Sequence, residues 1–309
     1  MHKKYRKKLI LQHLKKFHIP AYFYAVAAML FWGMSFVWTS ILLRYYQPVT
    51  IIFIRLILSA ALLFLIIHFF GEKEKILKKD YPLILLSALF NPFLYFLGEN
   101  YGLKFSTPVI SSAIIATIPV FSPVVAYLTL KEKLTVLNIS GILVSFFGVL
   151  VMLITPDLTL SADIRGIVFL SAAVLSALFY SVLLRKLTFR YSALKLIACQ
   201  NLIGIFLFLP LFFMFEWKDF VTVKINSSIV YSFILLAVFA SSVSFVFFAH
   251  SVKLLGVSKA NIFSNLIPVF TATFSYLILS ETLTLQKAAG IILVIGGVYL
   301  SERNKKKTG

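Results

Sequence analysis

Long apolar runs alternate with short polar connections along the whole sequence. A helix needs about 20 mostly apolar residues to cross the hydrocarbon core of a bilayer, and ten runs approach or exceed that length. The pattern therefore predicts an all-α integral membrane protein with ten transmembrane helices. Pro119 and Pro268 fall inside two of these runs, so we expect both residues to act as kinks or hinges. The predicted spans are 20–43, 49–70, 81–101, 106–129, 136–154, 164–185, 192–215, 227–249, 258–279 and 285–302.

Composition supports the membrane class and excludes several others. Of the 309 residues, 60% are hydrophobic and only 13% are charged, whereas soluble domains carry about 25% charged residues. The single cysteine, Cys199, excludes a disulfide scaffold. The formal net charge is +19, but the basic residues lie between apolar runs rather than on a soluble face. Nucleic acid is therefore not expected as a partner.

The distribution of lysine and arginine predicts the orientation. If the N-terminus is cytoplasmic, most of the basic residues lie in the tails 1–19 and 303–309 and in the connections on that same side. An excess of Lys and Arg marks cytoplasmic loops. We therefore expect a multi-pass protein of the cell inner membrane with both termini in the cytoplasm. The N-terminal tail is either a solvated basic segment or a short amphipathic helix in contact with membrane lipids.

The sequence contains two related halves. The segment 118–121, Ile-Pro-Val-Phe, recurs without a gap as 267–270. The same alignment places Glu132 on Glu281, and it matches two glycines of the first half with two of the second, Gly141 and Gly148 with Gly290 and Gly297. Because small residues let helices approach closely, these glycines predict close helix contacts.

This repeat predicts a first unit at 20–154 and a second unit at 164–302, each with five spans. An odd number of spans inverts the second unit in the membrane. Inverted repeats are typical of secondary transporters that work by alternating access.

Motifs across both halves resemble the EamA-type permeases of the drug/metabolite transporter superfamily. The resemblance rests on Trp32-Gly33, Phe53-Ile54-Arg55-Leu56, Gly102-Leu103-Lys104-Phe105-Ser106, Lys131-Glu132-Lys133-Leu134 and Ser280-Glu281-Thr282-Leu283. It implies two inverted five-helix repeats around a central cavity, and transport of small metabolites without ATP, often amino acid export. The second half departs from the pattern, because Ala177-Leu178 stands where the first half has Trp32-Gly33.

Polar and aromatic residues within the spans are the candidate cavity residues, because polar groups exposed to lipid are costly. In span 3, Asn91, Tyr95 and Glu99 are spaced to form one polar stripe of a helix. The full set of candidates for substrate binding or cavity lining is Trp32, Ser35, Arg55, Asn91, Tyr95, Glu99, Tyr180, Gln200, Asn201, Asn261 and Asn265.

Arg55 and Glu99 form the most informative pair in this set. Both lie at a similar depth near one side of the membrane, so an ion pair is expected. Arg55 is a candidate ligand for a substrate carboxylate, and Glu99 is a candidate proton carrier. The alternative interpretation is a fixed structural pair, or a Glu99 side chain at the water boundary.

The sequence contains no nucleotide-binding loop, zinc-ligand spacing or nucleophile elbow, so no enzyme activity, cofactor or metal is predicted. The leading hypothesis is a permease that exports amino acids or related compounds. The substrate's own gradient or a proton drives it, and a monomer is compatible with the sequence. A multidrug exporter is one alternative, although Arg55 disfavours cationic substrates. A non-transporting membrane protein, such as a lipid-modifying enzyme, is the other.

Overall fold

The described part of the chain is all-helical. The computed structural model describes residues 21–70, 75–121, 125, 135–153 and 162–302, and within these ranges it contains no β-strand. Each of the ten predicted spans corresponds to a helical segment there. The segments are α1 Ala21–Leu42, α2 Pro48–Phe70, α3 Lys78–Lys104, α4 Pro108–Phe121, α5 Val136–Leu153, α6 Ile164–Thr188, α7 Ala193–Thr222, α8 Ser227–Leu255, α9 Lys259–Leu279 and α10 Leu285–Glu302.

Seven of the described helices are long and apolar enough to cross a membrane, and α4, α5 and α10 are shorter apolar helices. Large hydrophobic side chains such as Phe69, Met214 and Leu285 are exposed on the outside of the bundle. An apolar exterior of this kind suits contact with lipid rather than water. The chain is therefore a multi-pass membrane protein. The predicted tails and Glu132 lie outside the described residues.

Polar side chains cap the helices where the apolar runs begin. Thr107, Asp163, Ser192 and Asn226 are the N-cap residues of α4, α6, α7 and α8, and each side chain accepts a hydrogen bond from a backbone N–H of the first turn. Such caps satisfy donors that have no partner within the helix. Several helices extend beyond the predicted ends, since polar residues such as Lys104 continue the helix after the apolar run stops.

Small residues bring α5 and α10 into close contact, as the glycine pattern predicted. A Cβ atom added to Gly148 would lie 2.8 Å from the carbonyl oxygen of Gly290, and one added to Gly297 would lie 2.6 Å from that of Gly141. Between these contacts, the Ser145 hydroxyl donates to the carbonyl of Val294 at 3.1 Å. We call this contact the glycine seam.

Polar side chains join α2 to α7 instead. Near the middle of both helices, Asn201 Nδ2 donates to Ser59 Oγ at 2.7 Å. At the N-terminus of α2, the Glu216 carboxylate accepts hydrogen bonds from the backbone N–H groups of Val49 and Thr50 and from the Thr50 hydroxyl. We call this contact the polar seam.

The remaining contacts interleave the two halves of the chain. Helix α1 packs against α8 and α9, while α3 packs against α6 and α7. Gly33 of α1 lies against Ile267, Phe270 and Thr271 of α9, and Gly98 of α3 lies against the backbone of α6. Between the two halves lies a space that six of the described helices surround: α1, α3, α4, α6, α8 and α9.

Candidate functional site

A small cavity lies at the centre of the bundle. Helices α1, α3 and α4 line it from the first half, and α6, α8 and α9 line it from the second. Five of the predicted candidates contribute to its wall: Trp32, Asn91, Tyr95, Tyr180 and Asn261. The other lining residues are Ile115, Ile118, Ala177, Ser181, Phe245, Phe248, Ser264 and Ile267.

Aromatic rings close the cavity around a very small volume. The Trp32 ring lies 5.0 Å from the rings of both Phe245 and Phe248, measured between centroids, and its Nε1 donates to the carbonyl of Ala240 at 3.2 Å. The cavity volume is about 40 Å³, little more than the roughly 30 Å³ that one water molecule occupies in the liquid. The cavity is therefore too small for a metabolite, which enters only if these helices separate.

Two amide groups of α9 are buried at or near the cavity without hydrogen-bond partners. Asn261 Nδ2 and Asn265 Oδ1 have no partner among the described residues, and both side chains are buried. A buried polar atom without a partner costs about 1–3 kcal/mol. A polar ligand that supplied the missing partners would recover that energy, so both amides are candidate ligand contacts.

Helix α3 is interrupted where it borders the cavity, and this corrects the predicted stripe. Asn91 has non-helical dihedrals, φ −144° and ψ 120°, within an otherwise helical segment. The predicted stripe of Asn91, Tyr95 and Glu99 assumed an unbroken helix. Of these three residues, only Tyr95 and Glu99 lie on the same regular helix, which is the part of α3 from Tyr95 to Lys104. Asn91 and Tyr95 line the cavity, whereas Glu99 does not.

Tyr95 links the cavity to the predicted pair of charges. Its hydroxyl donates to Glu99 Oε1 at 2.8 Å, and Glu99 Oε2 lies 4.0 Å from Arg55 Nη1. Arg55 Nε donates to Ser241 Oγ at 2.7 Å, and the guanidinium carbon lies 4.1 Å above the centroid of the Phe96 ring.

The distance between Arg55 and Glu99 matters for the chemistry of this pair. Arg55 is only 1% exposed, yet its Nη1 has no hydrogen-bond partner among the described residues. Charge-assisted hydrogen bonds between nitrogen and oxygen are about 2.7–2.9 Å long, so at 4.0 Å the two groups attract each other without bonding directly. Arg55 Nη1 is therefore a buried donor without a partner among the described residues, and Arg55 itself lies outside the wall of the central cavity.

The two predicted polar residues of α7 belong to separate networks. Gln200 accepts from the Tyr180 hydroxyl at 3.2 Å and donates to Ser87 Oγ at 2.9 Å. Asn201 donates to Ser59 Oγ and, at 3.3 Å, to the carbonyl of Ser241. Neither side chain lines the cavity, so both act through neighbours. Gln200 holds the cavity residue Tyr180, and Asn201 belongs to the polar seam.

Three further candidates have a different setting from the cavity residues. Ser35 is buried, and its hydroxyl donates to the Trp32 carbonyl one turn earlier at 2.7 Å. Regular α-helix stops at Ile115, shortly before Pro119, and a 3₁₀ turn at Phe263–Asn265 precedes Pro268. Proline interrupts the preceding turn because its ring clashes with the backbone there. The role of both prolines as hinges stays a prediction.

Polar residues of α8 that hold the network together were not among the predicted candidates. Ser241 binds Arg55, and Ser242 shares a hydrogen bond of 2.6 Å with Ser59. A run of serines inside an apolar span was the available signal. The Asn91–Pro92 pair was a second signal, because Asn-Pro inside a helical pattern marks a break.

Metal binding has no support in the described part of the chain. Within those residues, no group of three or more His, Cys, Asp or Glu side chains is placed to hold an ion. The arrangement around the cavity instead offers amide groups, hydroxyl groups and one buried guanidinium. These groups can bind a small polar molecule by hydrogen bonds and by charge.

Comparison with known families gives a match over both halves of the chain. The model of the family described as EamA-like transporters matches residues 19–154 and again residues 164–303. These two ranges include every helix that contributes to the cavity.

Individual relatives and one solved structure cover nearly the whole chain. The chain is 25% identical to an uncharacterized transporter of Archaeoglobus fulgidus, over 89% of this chain and 96% of the relative. It is 27% identical to the uncharacterized transporter YcxC of Bacillus subtilis, over 93% and 94%. A crystal structure with 18% identity matches with a TM-score of 0.68, over 93% of this chain and 98% of the other. That similarity shows a shared fold.

Proposed function

Because the chain belongs to the EamA-like transporter family, we propose that it is a secondary permease for small organic metabolites, with amino acids or related compounds as the leading substrates. Transport follows alternating access, and net export across the cytoplasmic membrane is the leading direction. The observation that carries the proposal is the small central cavity, which has helices of both halves in its wall and buried amide atoms without partners among the described residues.

Packing supports the proposal that the halves are inverted repeats of five helices. A symmetry operation that exchanges α1–α5 with α6–α10 turns the contact between α3 and α6 into a contact between α8 and α1. Both contacts are present. The glycine seam maps onto itself, since Gly141 faces Gly297 and Gly148 faces Gly290. In this proposal all ten helices span the membrane, five in each half. Two such halves can exchange conformations, which opens the cavity to either side in turn.

The charges near the cavity favour a substrate that carries a carboxylate. The proposal assigns carboxylate recognition to Arg55, whose free Nη1 group adjoins Glu99. An amino acid also carries an ammonium group, which a carboxylate such as Glu99 can bind. The unpartnered amides of Asn261 and Asn265 supply further polar contacts, and Trp32, Tyr95 and Tyr180 supply the aromatic wall.

Transport into proteoliposomes tests the proposal directly. Purified protein is reconstituted with unlabelled amino acids inside, and counterflow of radiolabelled amino acids is measured. We expect Arg55→Ala to abolish counterflow of substrates with a carboxylate, while Arg55→Lys retains part of it. Arg44→Ala is the matched control, because it is the same substitution at an exposed position outside the helices.

Two outcomes would contradict this assignment. If Arg55→Ala protein elutes as a single folded species and still exchanges amino acids at the unmodified rate, Arg55 does not bind the carboxylate. If no metabolite exchanges in a broad screen while added phospholipids are chemically altered, the enzyme alternative replaces the transport proposal.

In the same assay, Glu99→Gln separates proton coupling from uniport. If Glu99 carries the proton, the transport rate of the native protein depends on pH, and the transport rate of the variant does not.

A further inference from the structure

A second and larger cavity opens on the side of the bundle, between the start of α3 and the start of α7. Its volume is about 830 Å³, within the range of roughly 300–1,000 Å³ typical of small-molecule sites. Two lysines, Lys75 and Lys195, lie in its wall together with Cys199. The rest of the wall is apolar or aromatic and consists of Ile76, Tyr81, Pro82, Ile84, Leu85, Leu202 and Ile203. We call this cavity the lysine groove.

The charged end of the lysine groove lacks a neutralising partner. Neither Lys75 nor Lys195 forms an ion pair with a carboxylate of the described residues, although Lys195 Nζ lies 5.9 Å from the centroid of the Phe64 ring. Asp80, the carboxylate at the start of α3, is already occupied by Arg190 and by the Tyr191 hydroxyl. Among the described residues, the groove therefore has net positive charge where it meets the end of the bundle.

Fixed contacts hold this end of the groove in place. The Tyr191 hydroxyl lies 2.6 Å from Asp80 Oδ2, and it also accepts a hydrogen bond of 3.1 Å from the backbone N–H of Leu77. These bonds tie the segment that carries Lys75 to the connection before α7. Both lysines are consequently carried by segments that these hydrogen bonds join.

The apolar part of the lysine groove runs from the lysines into the membrane. Lys195 is in the first turn of α7, and at a rise of 1.5 Å per residue Cys199 lies about 6 Å and Leu202 about 10 Å farther along the helix. Leu85 and Leu202 are exposed at the surface of the bundle. The groove thus combines a cationic end with an apolar wall that is open sideways to lipid, the shape required for a headgroup and the upper part of an acyl chain.

The lysine groove is separate from the central cavity. The two cavities share no lining residue, and the hydrogen bonds that join Ser87, Gln200 and Tyr180 lie between them. A ligand in the groove does not occupy the transport site.

We propose that the lysine groove binds a phospholipid with an anionic headgroup. Its phosphate lies between Lys75 and Lys195, and an acyl chain follows the wall past Cys199 to Leu202. Charge selects the headgroup, because basic pockets between membrane helices bind anionic lipids, and the sideways opening selects a lipid over a soluble phosphate.

The single cysteine of the chain reports on occupancy, because Cys199 lies in the wall of the groove. Full-length protein is placed in phosphatidylcholine nanodiscs with or without phosphatidylglycerol, and the rate of alkylation of Cys199 by N-ethylmaleimide is measured. We expect phosphatidylglycerol to slow alkylation roughly tenfold when it is present at about ten times its dissociation constant. Lys75→Gln with Lys195→Gln returns the rate to the value in phosphatidylcholine alone.

A matched control distinguishes the groove from general surface charge. Lys78 and Lys79 lie at the same end of the bundle but outside the wall of the groove, so Lys78→Gln with Lys79→Gln removes the same charge and leaves the protection intact. Both variants are first checked for a single folded species by size-exclusion chromatography, and the count of retained phosphatidylglycerol molecules by native mass spectrometry is a second measurement.

Three results would overturn the proposal. The first is that Cys199 of the native protein is alkylated equally fast in both nanodiscs. The second is that both double variants lose protection to the same extent, and the third is that soluble glycerol phosphate protects Cys199 as well as the lipid does. The last result would make the groove a site for a soluble phosphate. Because no step measures transport, failure of this proposal leaves the proposed permease function untouched, and the reverse also holds.

Discussion

Two contacts between the halves of the chain, the glycine seam and the polar seam, use different chemistry. In the glycine seam, the backbones of α5 and α10 touch through Gly148 and Gly290, and Ser145 adds one hydrogen bond. In the polar seam, α2 and α7 meet through hydroxyl, amide and carboxylate groups.

The difference indicates which contact can change during transport. A contact between two glycine backbones has one favourable geometry, since any shift loses van der Waals attraction at once. Hydroxyl and amide groups can exchange partners with little net change in energy, because each lost hydrogen bond is replaced by another. We therefore expect the glycine seam to stay fixed and the polar seam to rearrange when the cavity opens.

The largest expected loss of stability comes from the end of the polar seam. Glu216 is 4% exposed and accepts hydrogen bonds from Val49 and Thr50 at the start of α2. Glu216→Ala leaves these buried donors without a partner, and we expect it to lower the free energy of unfolding by about 3 kcal/mol. Unfolding by sodium dodecyl sulfate in mixed micelles measures the change.

Glu216→Gln is the control for that measurement, because its side-chain oxygen can still accept one of these hydrogen bonds. We expect a smaller loss for Gln than for Ala. Equal stability of the native protein and the Ala variant would show that the cap does not hold α2 to α7, and the polar seam would then be weaker than its hydrogen bonds indicate.

Two adjacent glycines of α10 differ in how closely they contact the glycine seam. A Cβ at Gly297 would lie 2.3 Å from Ser145 Oγ and 2.6 Å from the Gly141 carbonyl oxygen, whereas one at Gly296 would meet nothing within 4 Å. We expect Gly297→Ala to cost about 2 kcal/mol of the free energy of unfolding because it overpacks the seam. Gly296→Ala should change stability by less than about 0.5 kcal/mol. Equal losses in the two variants would contradict close packing of α5 on α10.

Much of this architecture could be predicted from the sequence because lipid imposes a simple rule. A helix must expose apolar side chains along its whole length in the membrane, so the apolar runs locate the helices. The repeated glycines predicted a close helix contact for a similar reason, since only a residue without a Cβ lets two backbones approach. Burial of polar groups away from lipid also selected Tyr95, Tyr180 and Asn261 as candidates, and these residues line the central cavity.

The details of the site could not be predicted, because they depend on contacts between distant segments. Glu216 lies near the end of an apolar run and has no distinguishing local pattern, yet it caps α2, a helix from the other half of the chain. Ser241 is an ordinary small residue until the fold places it beside Arg55. Helical periodicity alone does not predict the break in α3 at Asn91.

The smallest expected effect is at the centre of the polar seam, between Ser59 and Asn201. A double-mutant cycle with Ser59→Ala, Asn201→Ala and the combined variant isolates the energy of their hydrogen bond. We expect a coupling energy of about 0.6 kcal/mol, the average for hydrogen bonds between membrane helices, because both groups have other partners. Ser59 Oγ also bonds Ser242, and Asn201 also donates to the Ser241 carbonyl. A coupling of several kcal/mol would show a rigid polar seam, and the expected difference between the two seams during transport would then be wrong.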